Sequence, residues 1–257
     1  MGSRSYSHPD NDRGSTRCCP YLNSLSPIPY PLTVNPYPLS LNTLHPPPFR
    51  PLTKAMPEQT KVMGKDWAEA RREGSVDRLR LTLQTALANQ TALTFELGCG
   101  HGHWLAAYGA AHPAEFCVGI DLVTHRVERS QRKQALGKLA NVVFLKAEAT
   151  EFLDALLPTQ QLTKVFILYP DPWPKKRHQK NRFINAANLD RLADHAIAGA
   201  TLHFRTDSEA YHEWTREHLA AHPRWQLVEG VPWPFEQKTF FEDMMKAKRD
   251  LLAVRLP

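Results

Sequence analysis

The stretch Ala92–Gly102, ALTFELGCGHG, sets the fold of this chain. Its first six residues are predicted to form a strand, which runs directly into three glycines at alternate positions. A helix is predicted from His103 to about Ala111. Glycines between a strand and a helix allow a ligand to approach the main-chain N–H groups at the start of the helix. The stretch therefore predicts the ligand-binding end of an α/β sheet.

Strands and helices alternate through the rest of the chain. Six further strands are predicted at residues 116–120, 142–146, 164–168, 202–206, 225–228 and 251–254. Helices are predicted at about 66–87 (with Asp77 as an N-cap), 123–139, 150–156 and 182–198, and a last one ends near Ala221. Because this alternation favours parallel strands joined by helices, we predict an α/β fold with a doubly wound, mostly parallel, Rossmann-like sheet of about seven strands.

Residues 1–57 differ in composition from the rest of the chain. They hold more than half of the 21 prolines and show almost no helical periodicity. Such a segment cannot bury enough apolar surface to offset the entropy of ordering it. We predict a disordered Pro-rich tail over residues 1–57 and a folded domain over 58–257. Translation from Met56 or Met63 is an alternative, in which case the tail is a misassigned start.

Acidic residues accompany the ends of three predicted strands. At the end of the first strand the pattern is E-x-G-x-G-x-G. It differs from the dinucleotide fingerprint G-x-G-x-x-G, because His103 occupies the position of the third glycine. An acid at Glu96 would repel a pyrophosphate and attract the α-amino group of S-adenosylmethionine. Asp121 is placed for ribose hydroxyls and Glu148 for an adenine amino group. A helix cap or a solvated loop is the alternative for each acid, but three together favour a cofactor cleft, with Gly98, Gly100 and Gly102 lining it.

A second chemical motif, YPDPWPKKRHQKNR, occupies residues Tyr169–Arg182 at the end of the predicted fourth strand. Its three prolines restrict the loop, so Asp171 and Trp173 are held in fixed positions. Open α/β sheets bind ligands at this end of their strands. The alternative is a turn followed by a solvated basic helix start. We predict a site centred on Asp171, beside cations that follow nucleic-acid phosphates: Lys175, Lys176, Arg177 and Arg182.

Bulk properties narrow the class of protein. A net charge of +6 and a pI near 9.2 favour a polyanionic partner, although weakly. The four cysteines lack zinc or disulfide spacing, which predicts a reducing cytoplasmic location. We expect no membrane span, because no apolar run is long enough. His218 and His222 are four residues apart, but Leu219 replaces the glutamate of a zinc motif, so we expect no metal.

Together these motifs resemble those of the bacterial tRNA (guanine-N7)-methyltransferases, class I enzymes that use S-adenosylmethionine and modify the guanosine at tRNA position 46. The PDPWPKKRH sequence is similar to that family's most specific signature, and Thr206-Asp207 to its downstream T-D. The segment Thr239–Glu242 resembles its T-x-F-E, and the likeness covers about residues 90–245. The family's usual basic arm before the first strand is not found.

The resemblance implies S-adenosylmethionine as cofactor and tRNA as partner. Cofactor contacts are implied at Glu96, Asp121, Glu148 and Asp171, and substrate contacts at Lys175, Asp207, Thr239, Phe240, Phe241 and Glu242. Guanine N7 has a lone pair and no proton to lose, so methylation needs no general base. Asp171 is therefore predicted to hold the guanine and stabilise its developing positive charge. We expect a monomer or homodimer.

Two other functions fit parts of the sequence. One is a class I methyltransferase that acts on another nucleic-acid base or on a small molecule, and the missing basic arm motivates it. The other is a non-catalytic RNA-binding protein, which would not bind S-adenosylmethionine.

Overall fold

A computed structural model describes residues 64–237 and 247–257. Its strands are β1 (Ala92–Leu97), β2 (Phe116–Asp121), β3 (Val142–Lys146), β4 (Gln161–Leu168), β5 (Ala196–Thr206), β6 (Trp225–Val228) and β7 (Arg249–Arg255). Its α-helices are α1 (Gly64–Ala86), α2 (His103–Ala111), α3 (Thr124–Leu136), α4 (Ala149–Ala155), α5 (Ala186–His195) and α6 (Glu209–Ala221). A 3₁₀ turn occupies Lys176–Asn181.

The strands form one seven-stranded sheet in the order β3-β2-β1-β4-β5-β7-β6. Strands β1 to β5 pair in parallel, whereas β7 runs antiparallel between β5 and β6. The mostly parallel α/β fold predicted from the sequence is confirmed. From β1 the strand order extends to β2 and β3 on one side and to β4 and β5 on the other. Open α/β sheets bind ligands in the crevice at such a reversal, which here lies at the carboxyl ends of β1 and β4.

Side chains of β4 alternate between two hydrophobic clusters on opposite faces of the sheet. Val165 and Ile167 belong to one cluster, and Phe166 and Leu168 to the other. This alternation is the period-2 pattern of a strand with both faces covered. On the first face, Phe95 of β1 stacks on Phe152 of α4 with ring centroids 4.7 Å apart. The resulting core fixes the directions in which β1 and β4 deliver their loops.

Several element boundaries differ from the sequence prediction, among them the earlier starts of β4 at Gln161 and of β5 at Ala196. Asp77 is not an N-cap, because α1 runs uninterrupted from Gly64 to Ala86 and Asp77 accepts a hydrogen bond from Arg80 within it. The helix predicted at 182–198 is shorter, since Asn185 caps α5 by accepting from the N–H of Asn188. The chain after His195 continues as β5.

Some predictions fall on residues outside the described ranges. They are the Pro-rich tail of residues 1–57 and the substrate contacts at Thr239, Phe240, Phe241 and Glu242. Within the ranges 64–237 and 247–257, no helix has both the length and the apolar character needed to cross a membrane.

Candidate active site

The candidate site lies where the parallel strands end. Strand β1 pairs with β2 on one side and β4 on the other, with Glu96 opposite Gly119 and Phe166. The glycine turn (residues 98–102) follows β1, and the PDPWP loop (residues 170–174) follows β4. The two predicted motifs therefore leave neighbouring strands at the same edge of the sheet.

The glycine turn has a closed side and an open side. Gly98, Gly100 and Gly102 all have positive φ, which other residues rarely adopt. At Gly102 an added Cβ would lie 2.5 Å from the Cβ of Ser130, so the turn is packed tightly against α3 there. At Gly98 and Gly100 an added Cβ would meet nothing within 4 Å. The open side is thus available to a ligand.

Glu96 is a buried acid at the base of this turn, and only 3% of its surface is exposed. Its Oε2 atom is buried and accepts no hydrogen bond from a described residue. Burial, and then the nearby charge of Asp121, raise the pKa of Glu96 to about 8. A buried carboxylate without a donor is costly, and an ammonium group would remove that cost. The residue therefore fits the α-amino group of S-adenosylmethionine.

Asp121 at the end of β2 braces the glycine turn. Its Oδ2 accepts from the N–H of Gly100 at 3.0 Å, and its Oδ1 accepts from the N–H of Val123 at 2.8 Å. Arg126 lies 3.8 Å from Oδ2. Each carboxylate oxygen can accept more than one hydrogen bond, so a ribose contact remains compatible with this bracing and stays a prediction.

Glu148 adopts the alternative role weighed for it, that of a helix cap. Its Oε2 accepts from the N–H groups of Thr150 and Glu151 at 2.8 and 2.9 Å, and from the Thr150 hydroxyl at 2.6 Å. The negative charge lies at the N-terminus of α4, where it is stabilised. Any contact with an adenine amino group would fall to Oε1, and that contact stays a prediction.

The PDPWP loop and the tyrosine before it carry unusual backbone conformations on residues other than glycine. Tyr169 has φ 48° and Trp173 has φ 44°. Such conformations cost about 1–3 kcal/mol each and are typical of functional sites. Between them, Asp171 is exposed at the edge of the sheet. The edge of Trp173 contacts His178, with ring centroids 6.0 Å apart.

Arg182 is buried, with only 2% of its surface exposed, so it lacks the accessibility expected of the phosphate contact that the sequence predicted. Its Nε donates to the carbonyl oxygen of Pro172 at 2.9 Å, and its Nη1 donates to that of Ala210 at 3.3 Å. The guanidinium also lies 4.9 Å from the ring centroid of Tyr211. Arg182 thus ties the PDPWP loop to the start of α6.

The other predicted phosphate contacts are accessible. Lys175, Lys176 and Arg177 are all exposed, at or within the 3₁₀ turn that follows the loop. We call residues 175–180 the basic turn. The sequence does contain a signal for the burial of Arg182. The apolar residues Phe183 and Ile184 follow it, and Ile184 is fully buried.

Asp207 lies at the end of β5, the strand next to β4, and is half-buried. Its carbonyl oxygen accepts from Nη1 of Arg249 at 3.1 Å. Ser208 caps α6 by accepting from the N–H of Tyr211. The structure therefore brings Asp207 to the same edge as the PDPWP loop.

Arg205 is an organising residue that the sequence reasoning missed. It is buried in β5 and donates to both carboxylate oxygens of Asp250 and of Glu236, at 2.6 to 2.9 Å. Its guanidinium lies 4.0 Å from the ring centroid of Trp233. Burial alone would lower the pKa of Arg205, but the hydrogen bonds to Asp250 and Glu236 outweigh it and raise that pKa. The contact holds residues 233–236 against the sheet.

Among the residues that the structure describes, no group of three or more His, Cys, Asp and Glu side chains is arranged so that it could hold a metal ion. The two spaced histidines have other contacts. His218 Nδ1 lies 2.8 Å from the carbonyl oxygen of Trp214, and His222 Nε2 lies 3.3 Å from Asp190.

Comparison with known proteins identifies the family of this chain. A family model described as "Putative methyltransferase" matches residues 90–250. A protein of Mesorhizobium japonicum named tRNA (guanine-N(7)-)-methyltransferase is 33% identical over 162 residues, which cover 62% of this chain and 68% of that protein. This chain belongs to the tRNA (guanine-N7)-methyltransferase family. A relative of the same name from Magnetococcus marinus is 35% identical over 163 residues, covering 63% of this chain and 64% of the relative.

A solved structure supports the same fold for this family member. The aminoglycoside resistance methyltransferase NpmB1 superposes with a TM-score of 0.50 at 15% identity, covering 69% of this chain and 93% of that one. At this identity the likeness concerns the class I methyltransferase fold alone.

Proposed function

We propose that this protein transfers a methyl group from S-adenosylmethionine to N7 of guanosine 46 in tRNA. One observation carries the proposal. In a chain of this family, a buried acid suited to an ammonium group (Glu96) lies near the end of β1, and an exposed carboxylate (Asp171) lies on the loop that follows the adjacent strand β4. A methyl donor and an acceptor base held by these two acids would meet at one edge of the sheet.

The cofactor end would use groups already in place. Glu96, whose Oε2 has no partner among the described residues, would accept from the α-amino group, and the open side of the glycine turn would admit the cofactor close to the main chain. Asp121 accepts from the N–H of Gly100 and would also accept from the ribose. When bound, S-adenosylmethionine supplies a methyl group on a positively charged sulfur.

The substrate end would align the guanine and would not remove a proton. N7 already has a lone pair, so the requirement is an attack distance of about 3–3.5 Å in line with the sulfur. Positive charge moves onto the purine as the methyl group transfers. The carboxylate of Asp171 can accept hydrogen bonds from guanine N–H groups and stabilise that charge. Asp207, at the end of the neighbouring strand, offers a second contact to the guanine.

The direct test is methylation of an unmodified tRNA transcript, followed by nuclease digestion and mass spectrometry of the nucleosides. The expected product is 7-methylguanosine, and a transcript with adenosine at position 46 should yield none. A different methylated nucleoside would overturn the assignment to N7. Equal methylation of the two transcripts would overturn the assignment to position 46.

A further inference from the structure

Helix α3 presents cations around a surface pocket of about 220 Å³ next to the glycine turn. Six residues line the pocket: His101, His103, Arg129, Arg132, Lys133 and Leu136. We call this surface the α3 basic face. It contains three basic side chains and no carboxylate, although the exposed acid Glu128 lies elsewhere on the same helix.

The spacing of residues on α3 explains why the cations face outward together. Val127 and Ser130 are buried, so residues offset from them around the helix point away from the protein interior. Arg129 and Arg132 are three apart, which places them on one face of the helix. Both are exposed, and neither forms an ion pair with a residue in the described part of the chain. Arg126, by contrast, is paired with Asp121.

Nothing in the catalytic scheme above uses this positive charge. Burial, followed by the charges of Arg129 and Arg126, lowers the pKa of His101. Burial and Lys133 do the same for His103. The two imidazoles are therefore mostly neutral at pH 7, and the positive charge of the pocket comes from Arg129, Arg132 and Lys133.

The α3 basic face and the basic turn lie on opposite sides of the glycine turn. Helix α3 follows β2, the basic turn follows β4, and β1 lies between these strands. Two strand spacings separate β2 from β4, or roughly 10 Å. A single small anion contacts one of these surfaces, whereas a long polyanion crossing the edge of the sheet contacts both.

We propose that the α3 basic face is a second binding surface for the phosphate backbone of tRNA. The inference rests on the proposed function, because that function makes tRNA the polyanion that reaches this edge. Each phosphate neutralised by an arginine or lysine releases counterions, so the interaction would appear in the salt dependence of tRNA binding.

The test measures the affinity of the full-length protein for unmodified tRNA at several salt concentrations. The variant Arg129→Ala/Arg132→Ala/Lys133→Ala should bind more weakly, and its slope of log affinity against log salt should fall by about 0.7–0.9 for each phosphate that is no longer neutralised. The single variant Arg132→Ala should show the decrease expected for about one phosphate. Its matched control is Arg78→Ala, which removes an exposed helical arginine from α1, outside the pocket, and should leave the slope unchanged.

Binding of S-adenosylhomocysteine to the triple variant checks that the glycine turn is intact, and its affinity should stay within about twofold of the wild type. A triple variant with the wild-type slope and affinity for tRNA would overturn the inference, as would an equal decrease of slope in Arg78→Ala. Failure of the proposed function gives a different result, namely a wild-type protein that forms no 7-methylguanosine. A decrease of slope in the triple variant alone would still support the α3 basic face.

Discussion

The glycine turn and the PDPWP loop hold a carboxylate in opposite ways. At the turn, glycines adopt the positive φ angles and Glu96 is buried with an unused acceptor oxygen. At the loop, Tyr169 and Trp173 adopt the positive φ angles and Asp171 is exposed. The turn therefore resembles a preformed pocket for a small molecule, whereas the loop leaves its acid accessible to a larger one. This difference is what a transferase with a small donor and a macromolecular acceptor requires.

The largest effect is expected at the closed side of the glycine turn. Gly102→Ala adds a methyl group 2.5 Å from Ser130 and forces positive φ on alanine, so it should destabilise the fold by about 2–5 kcal/mol. Gly98→Ala is the matched control, because it adds the same strain in open space and should cost only about 1–2 kcal/mol. Denaturant unfolding measures the free energy of unfolding of both variants. Equal destabilisation would contradict the description of the turn as tightly packed at Gly102 and open at Gly98.

The next effect concerns the exposed acid. Asp171→Asn keeps the shape of the side chain and removes its charge, so turnover should fall on the order of 10²-fold. Affinities for S-adenosylhomocysteine and tRNA should change much less, because neither carries the charge of the transition state. Single-turnover methylation of tRNA measures the step directly. Near-wild-type turnover would mean that the loop only positions the base.

A smaller effect is expected from the buried support of the loop. Arg182→Met removes the hydrogen bond to Pro172 and lets the loop shift, so turnover should fall by roughly tenfold, as small misplacements do. Arg177→Ala is the matched comparison, since this exposed arginine should chiefly raise KM for tRNA. Steady-state kinetics with varied tRNA separate the two. An Arg182→Met variant altered only in KM would instead favour the phosphate role first predicted for it.

Local sequence patterns predicted the two loops that form the site. They could not predict the burial of Arg182 and Arg205, which depends on contacts between residues far apart in the sequence. The glycine turn and the PDPWP loop were predictable because strand, turn and proline signals act within a few residues. The burial of Arg182 depends on Ala210 and Tyr211, almost thirty positions away. The burial of Arg205 depends likewise on Glu236 and Asp250, which no local pattern links to it.

Glu148 shows a different limit of sequence reasoning. An acid after a strand fits both a cofactor contact and a helix cap, and the sequence around it allowed either. The start of α4 at Ala149 brings two N–H groups to one of its oxygens, so Oε2 forms the cap and the cofactor contact stays a prediction for Oε1.

The central claim is that Glu96 is a buried acid held ready for the ammonium group of the cofactor. Its raised pKa of about 8 means that it is mostly protonated at pH 7 in the free protein. An ammonium partner favours the charged form and lowers this pKa. Binding should therefore release a proton, and affinity should rise with pH between about 6 and 8, by at most tenfold per pH unit.

Calorimetric titration with S-adenosylhomocysteine at pH 7, in two buffers of different ionisation enthalpy, measures that proton directly. The wild-type protein should release close to one proton per ligand bound, and Glu96→Gln should bind more weakly and release almost none. Wild-type binding without proton release, or the same release from Glu96→Gln, would contradict the role assigned to Glu96.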